Sequence, residues 1–297
     1  MKMDDTKLII VCGMSGVGKS TTSQNISYQY TMNGIANEWY HEEMKDHPIR
    51  WENGGEFQFE DMNLNISDTY ARWETLISNI CGVYVMEGCL YTNILRYFFP
   101  VKYPTDKIIE YYDKLMKILE SANPHIIHLY RPDVEKNYRK AFKVRGKNWK
   151  NIITDGNNNY DFAIEREYQN LARKVFADYQ GNKLNINTSD ENWAIYYKII
   201  CEFLGIEYYD KSYIPISNTE IYAGDFEGLK IICEDNELYC SLSWWKYIKM
   251  NAIGTNEFEL SGFPMVFKYS FLNNSVSLTV SGNYDWEIVG KTLYKKG

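Results

Sequence analysis

The sequence predicts an α/β fold, a parallel sheet flanked by helices, followed by a small antiparallel all-β barrel or sandwich domain. Three observations lead to this prediction. A glycine-rich turn near the N-terminus joins an apolar strand, residues 7–12, to a helix. Strand-like and helix-like runs then alternate as far as residue 205, which is typical of βαβ units. Beyond that point the helical period is lost, and short strands separated by turn residues follow.

The glycine-rich turn fits the Walker A pattern G-x-x-x-x-G-K-[ST]. In such a loop the glycines let backbone N–H groups point at phosphate oxygens, and the following helix adds the positive end of its dipole. We expect Lys19 to reach the β- and γ-phosphates and Ser20 to bind Mg²⁺. The residues predicted to bind the nucleotide are Gly13, Met14, Ser15, Gly16, Val17, Gly18, Lys19, Ser20 and Thr21.

Four further strands and several helices are predicted after this loop. Each strand is a short apolar run, and the helices show apolar residues at helical spacing. A segment with one proline and two glycines, residues 44–65, is expected to be irregular. The predicted strands are 35–41, 82–86, 125–130 and 183–187, and the predicted helices are 68–79, 93–99, 105–121, 133–144, 161–179 and 191–204.

Acidic residues follow two of these strands directly. Glu42 and Glu43 come after the second strand, and Glu87 comes after the third. Because ligands of parallel sheets bind beyond the carboxyl ends of the strands, we expect these carboxylates beside the glycine-rich loop. A carboxylate there can accept the proton of an attacking hydroxyl or hold Mg²⁺. Glu87 is the candidate for the metal, and the choice of the base among the three stays open.

A basic segment follows the fourth strand. Residues 131–150 carry eight Lys or Arg and two acids, in a chain whose net charge is −7. Arg139 and Lys143 share a helix face, and Arg145 lies near the predicted helix end. We expect Arg139 and Arg145 to close over the phosphates, although a solvated basic surface gives the same pattern.

Several other side chains are candidates for an acceptor site. His41 and His47 flank the Glu42-Glu43 pair, and aromatic residues surround them. Aromatic residues in such runs more often belong to a core, so both interpretations stay open. The further candidates are Trp39, Tyr40, Trp51, Arg72 and Trp73.

Composition narrows the class of partner. The acidic balance argues against a broad nucleic-acid-binding surface. The six cysteines form no C-x-x-C pair, and no run of about 18 apolar residues is present. We therefore expect a cytoplasmic protein with a small-molecule partner, no nucleic acid and no membrane, and leave a homodimer open.

The character of the chain changes near residue 206. We place a first domain at 1–206, a linker at 207–218 and an antiparallel β domain at 219–297. The β domain is predicted from short alternating runs bounded by turn residues. The predicted strands are 229–233, 237–242, 257–260, 265–271, 275–280 and 291–295.

The residues of the first domain resemble the nucleoside and nucleoside monophosphate kinase-like P-loop fold. The resemblance covers about residues 6–205 and depends on the 13–21 loop, the acids after the second and third strands, and the segment 128–146. That segment is similar to the strand, short loop and lid helix of deoxynucleoside and thymidylate kinases. The tail is similar to a small lipocalin-like barrel appended to some β-lactamase-like proteins.

This resemblance implies an ATP- and Mg²⁺-dependent kinase. A glutamate after the second strand is the base in nucleoside kinases, which carries over to Glu42 or Glu43. An acid followed by arginine is common after their third strand, whereas here Glu87 is followed by Gly88. Kinases of antibiotics, shikimate, gluconate and nucleotide sugars, including zeta-type toxins, share the fold.

Our first hypothesis is therefore a phosphotransferase acting on a small-molecule hydroxyl. Two others stay open: an ATPase switch whose β domain binds a partner protein, and a toxin-like kinase of a nucleotide sugar. The acceptor, and the choice of ATP over GTP, stay open as well.

Overall fold

The computed structural model describes residues 7–45, 47–49, 59–242, 245–273 and 275–296. These residues form two compact units. The first is built from the described parts of Met1–Glu42, Asp46–Val134 and Phe162–Tyr209. The second is built from those of Glu43–Lys45, Glu135–Asp161 and Asp210–Gly297. The domain limits drawn from the sequence stay predictions.

The first unit contains a parallel five-stranded sheet in the order β2-β3-β1-β4-β5, which confirms the predicted α/β fold. Among the described residues, no helix has the length and apolar character that a membrane span needs. The elements up to residue 203 are β1 (Leu8–Cys12), α1 (Lys19–Met32), β2 (Asn37–Tyr40), α2 (Met62–Ser78), β3 (Val83–Glu87), α3 (Thr105–Leu119), β4 (His125–Tyr130), α4 (Val134–Thr154), α5 (Ala163–Asp178), β5 (Asn182–Asn187) and α6 (Trp193–Phe203).

The two central strands explain why this sheet is stable and where its site lies. All five residues of β1 and all five of β3 are buried, as expected for strands covered by helices on both faces. Their carboxyl ends lead into the glycine-rich loop and into Gly88. This topology brings the glycine-rich loop and the acidic residue that ends β3 to the same edge of the sheet, as predicted.

Three local predictions need correction. Helix α2 begins at Met62 rather than at residue 68, so the end of the stretch predicted to be irregular is helical. Met62 and Trp73 are both fully buried on that helix, and this burial outweighs the intervening asparagines. The predicted helix 93–99 is a π-helix, Ile94–Phe98. The predicted helix end near Gly146 is a break with φ 83°, after which α4 resumes because Trp149 stacks on Tyr138.

The second unit contains an antiparallel eight-stranded sheet. Its strands follow one another in chain order, and a bridge between Phe226 and Lys295 brings its two edges together, so the sheet is a nearly closed barrel rather than a sandwich. The strands are β6 (Gly224–Phe226), β7 (Leu229–Glu234), β8 (Glu237–Leu242), β9 (Trp245–Gly254), β10 (Glu257–Leu260), β11 (Met265–Leu272), β12 (Ser275–Gly282) and β13 (Thr292–Tyr294).

Side chains fill the interior of this barrel. Phe226, Phe258 and Phe267 are fully buried there, and the Tyr269 ring packs edge-on against the first two. Strands β6 and β9 were not predicted. In β9 the buried residues Ile248, Met250 and Ala252 alternate with exposed or polar ones, a period of two that marks the strand.

A buried histidine on β4 makes the stability of the first unit depend on pH. His128 bonds Asn185 Oδ1 over 2.9 Å, and burial lowers the pKa of His128 to about 4. In the unfolded chain a histidine has a pKa of about 6.5. Between these values the unfolded state binds one more proton, so stability must fall as the pH falls from 6.5 to 4.

We expect the free energy of unfolding of the wild type to fall by about 1.4 kcal/mol per pH unit more steeply than that of His128→Gln over this range. Glutamine keeps an amide that can bond Asn185 but does not titrate. Urea unfolding at several pH values measures both slopes. Parallel slopes for the two proteins would show that His128 is not the group responsible.

Candidate functional site

The loop between β1 and α1 has the backbone of a phosphate cradle. Gly13, Gly16 and Gly18 have φ values of 142°, 84° and 99°, which only glycine adopts without strain. A Cβ on Gly13 would lie 2.2 Å from the Leu129 carbonyl oxygen, so this glycine also allows close approach to β4. The N-cap residue of α1 is Gly18, which has no side chain to bond the first amides of the helix, and such a helix N-terminus suits an anionic ligand.

Lys19 is the first residue of α1 and is buried at the loop. Its Nζ donates to the Met14 carbonyl oxygen over 3.4 Å and lies 3.8 Å from Glu42 Oε2. Both contacts are long, and they place the ammonium between the loop backbone and a carboxylate. A phosphate group in the cradle would give this cation a stronger partner than either.

Ser20 and Glu87 come together, as the sequence predicted for two groups at one sheet edge. The Ser20 hydroxyl donates to Glu87 Oε1 over 2.5 Å, and Glu87 Oε2 lies 3.3 Å from His41 Nε2. Glu87 is only 1% exposed, and burial raises its pKa, whereas the neighbouring His41 acts in the opposite direction. A carboxylate that is so completely buried needs a cationic partner to stay ionised.

These two groups fit a magnesium site. Mg²⁺ prefers hard oxygen ligands and keeps several water and phosphate oxygens, so it needs only one or two groups from the protein. Ser20 Oγ and Glu87 Oε1 are such oxygens, already in contact at the end of the phosphate cradle. Within the part of the chain that the structure describes, no three His, Cys, Asp or Glu residues form a site of the kind that holds a metal by protein ligands alone.

Glu42 faces the loop and is the second carboxylate of the site. Its Oε1 lies 3.7 Å from Arg96 Nη2 and its side chain is 11% exposed. A Cβ on Gly88 would come within 2.3 Å of Glu42 Oε2, so the glycine after β3 makes room for this carboxylate. Glu42 therefore lies between two cations, Lys19 and Arg96, with its oxygens directed at the loop end of the sheet.

Glu43, the neighbouring candidate base, has a different partner. It is grouped with the second unit, where it accepts a hydrogen bond from the hydroxyl of Tyr284. The two adjacent glutamates are therefore distinguishable in the structure although they are equivalent in the sequence. Of the pair, Glu42 lies beside Lys19.

A small open cleft of about 40 Å³ begins at Glu42 in the first unit. Its walls are mixed: a guanidinium, an amide, a hydroxyl and an imidazole lie among apolar atoms. The space admits the reacting end of an acceptor, and these polar groups can hydrogen-bond it. The lining residues are Glu42, His47, Ile49, Gly88, Cys89, Thr92, Asn93, Arg96 and Tyr97.

Arg96 is the site residue that the sequence analysis missed. The resemblance implied an arginine directly after the acid of the third strand, and Gly88 stands there instead. Arg96 lies in the π-helix Ile94–Phe98, and its guanidinium reaches Glu42 from that position. No sequence pattern points to Arg96. The signal is structural, because π-helical turns are frequent at functional sites.

The other acceptor-site candidates have varied positions. Trp73 is fully buried in the core of the first unit, and Arg72 pairs with Asp68 on the surface of α2. Trp39 packs edge-on against His41, and Tyr40 against His47. Trp51 lies outside the described residues.

Arg139 and Arg145, predicted to close over the phosphates, belong to the second unit. Arg139 pairs with Glu135 one turn earlier on α4, an exposed pair of small energetic value. The Arg145 guanidinium lies over two indole rings, 4.6 Å from the centre of Trp149 and 4.3 Å from that of Trp245. Their action on a nucleotide stays a prediction.

No protein-family model matches this chain, and no curated protein matches it. Among solved structures it is similar to the YorR protein of Bacillus subtilis in complex with phosphorylated GDP, at 14% identity over 67% of this chain and 95% of that one, with a TM-score of 0.40. It is also similar to thymidylate kinase from Candida albicans, at 11% identity over 71% of this chain and 98% of that one, with a TM-score of 0.40.

Proposed function

We propose that this protein is an ATP- and Mg²⁺-dependent phosphotransferase that moves the γ-phosphoryl group to a hydroxyl of a small molecule. One observation carries the proposal: two carboxylates with different surroundings lie beside the phosphate-binding loop. Glu87 is buried against Ser20, and Glu42 opens onto a cleft. One suits a metal ion, and the other suits an acceptor.

The proposed binding step uses the loop and Glu87. The amides of residues 13–20 and the Lys19 ammonium hold the β- and γ-phosphates, and Ser20 Oγ with Glu87 holds Mg²⁺. The metal ion supplies charge neutralisation of the phosphates when bound. Lys19 exchanges its long contacts with Met14 and Glu42 for phosphate oxygens.

The proposed chemical step uses Glu42. The acceptor hydroxyl lies in the cleft with its proton directed at the Glu42 carboxylate. Its oxygen bonds to the γ-phosphorus as the bond from that phosphorus to the β–γ bridging oxygen breaks, and the proton passes to Glu42. The products are ADP and the phosphorylated acceptor. Arg96 keeps the carboxylate directed at the hydroxyl, and Arg139 and Arg145 are proposed to close over the phosphates.

The acceptor class proposed is a nucleoside-like compound, a sugar nucleotide or a hydroxylated antibiotic. To identify it, we would incubate the purified protein with γ-labelled ATP, Mg²⁺ and pooled compounds of these classes, with Lys19→Ala as the control. Label on one compound, absent with the variant, supports the proposal and names the class. Phosphate release that needs no acceptor would contradict it and favour an ATPase switch acting through the barrel.

Growth arrest on expression, relieved by Lys19→Ala, would point to a toxin-like kinase.

A further inference from the structure

Thr188, directly after β5, and Trp193, the first residue of α6, contact two consecutive residues of the phosphate loop. The Thr188 hydroxyl donates to the Val17 carbonyl oxygen over 3.0 Å. The Trp193 indole lies against the next residue, since a Cβ on Gly18 would be 2.2 Å from its ring. Thr188 and Val17 are fully buried, so water cannot replace the hydrogen bond between them.

The direction of the Thr188 hydroxyl is fixed by Arg131 at the end of β4. Arg131 Nε lies 3.3 Å from Thr188 Oγ1, and its Nη2 lies 2.7 Å from Glu191 Oε1. A guanidinium only donates hydrogen bonds, so the hydroxyl accepts from Arg131 and its single hydrogen is left for Val17. The three residues form a directed chain that ends on the loop backbone.

These hydrogen bonds determine the direction of one amide in the loop, the N–H of Gly18. No cis peptide bond occurs among the described residues, so the Val17–Gly18 peptide is trans. In a planar trans peptide the C=O and N–H bonds point in opposite directions. Holding the Val17 carbonyl at Thr188 therefore directs the Gly18 N–H away from Thr188.

We propose that Thr188, held by Arg131, is a positioning residue for the donor nucleotide. It holds the Gly18 amide toward the phosphates without contacting them. The proposal rests on the proposed function, because its ligand is the diphosphate portion of a nucleotide bound in the cradle. Neither Thr188 nor Arg131 belongs to the Walker A pattern, and nothing in their local sequence predicts this role.

The test compares two substitutions of the same residue. Thr188→Val keeps the shape of the side chain but removes the hydroxyl, whereas Thr188→Ser keeps the hydroxyl. Calorimetric titration with Mg·ADP is expected to show a Kd about tenfold higher for Thr188→Val and close to the wild-type value for Thr188→Ser. The KM for the acceptor should be unchanged in both.

Thr69→Val is the matched control. Thr69 is also buried in the first unit, and its hydroxyl bonds the Asn65 carbonyl oxygen over 2.8 Å, but it lies on α2. Thr69→Val removes a buried hydroxyl by the same substitution, away from the phosphate loop, and should leave the Kd for Mg·ADP unchanged. Arg131→Gln should raise the Kd, and adding Thr188→Val to it should raise the Kd little further, because both remove one interaction.

Three results would overturn the inference: an unchanged Kd for Thr188→Val, an equal loss for Thr188→Ser, or an equal loss for Thr69→Val. A wild-type protein that binds no Mg·ADP would instead overturn the proposed function, and the inference with it. The titration of the wild type therefore separates the two failures.

Discussion

Lys19→Ala is expected to lower kcat/KM for phosphoryl transfer by about 10³-fold or more while leaving the fold intact. The ammonium is buried beside the phosphate cradle, and alanine offers no charge to the β- and γ-phosphates. In a site that excludes water, a fixed charge directed at the moving phosphoryl group has a larger effect than it has in bulk solvent. Initial rates with the acceptor identified by the labelling experiment measure the loss.

The fold should tolerate this change because the hydrogen bond and the ion pair of the Lys19 ammonium are both long. Its contacts with Met14 and Glu42 are 3.4 and 3.8 Å long. Removing the ammonium leaves Glu42 beside Arg96, so the carboxylate keeps one cation. Circular dichroism and the melting temperature of the variant should stay close to those of the wild type.

Lys7→Ala is the matched control for Lys19→Ala. Lys7 precedes β1 and is exposed, at the end of that strand opposite to the cradle. Lys7→Ala removes the same charge as Lys19→Ala and should leave the rate of phosphoryl transfer unchanged. A normal rate in Lys19→Ala, or an equal loss in Lys7→Ala, would exclude the phosphate-binding role of Lys19.

The glycine-rich loop and its surroundings could be predicted from the sequence because their physics is local. Three glycines with positive φ, a lysine and a serine in fixed order determine the cradle whatever follows. Glu87 could be placed as well, since it ends an apolar run that is short enough to be a buried strand. The topology rule for parallel sheets then brought it to Ser20.

Other parts of the site depend on contacts between distant residues, and no local pattern encodes them. Arg96 reaches Glu42 through a π-helix, a geometry that has no clear sequence signature. Thr188 and Val17 are 171 residues apart and meet only when β5 lies beside β4 in the sheet. The two adjacent glutamates after β2 are separated by a turn whose direction is set by tertiary partners, Lys19 and Arg96 for one and Tyr284 for the other.

Because Glu42 and Glu43 have different partners, substituting each should have a different effect on catalysis. Glu42→Gln is expected to lower kcat by about 10²- to 10⁴-fold, since the amide cannot accept the proton of the acceptor hydroxyl. Glu43→Gln, a change of the same size one residue away, should leave kcat within about threefold of the wild type, because Glu43 accepts a hydrogen bond from Tyr284 in the second unit. Steady-state rates at saturating acceptor measure both.

Nucleotide affinity distinguishes the loss of a base from damage to the cradle. The Glu42 carboxylate lies 3.8 Å from Lys19, where it opposes the negative charge of a bound phosphate. Removing that charge should leave the Kd for Mg·ADP unchanged or lower it, while kcat falls. A Kd that rises with the fall in kcat would mean that Glu42 supports the loop rather than the chemistry. Equal losses in Glu42→Gln and Glu43→Gln would exclude a base at either position alone, because Glu42 lines the acceptor cleft whereas Glu43 bonds Tyr284.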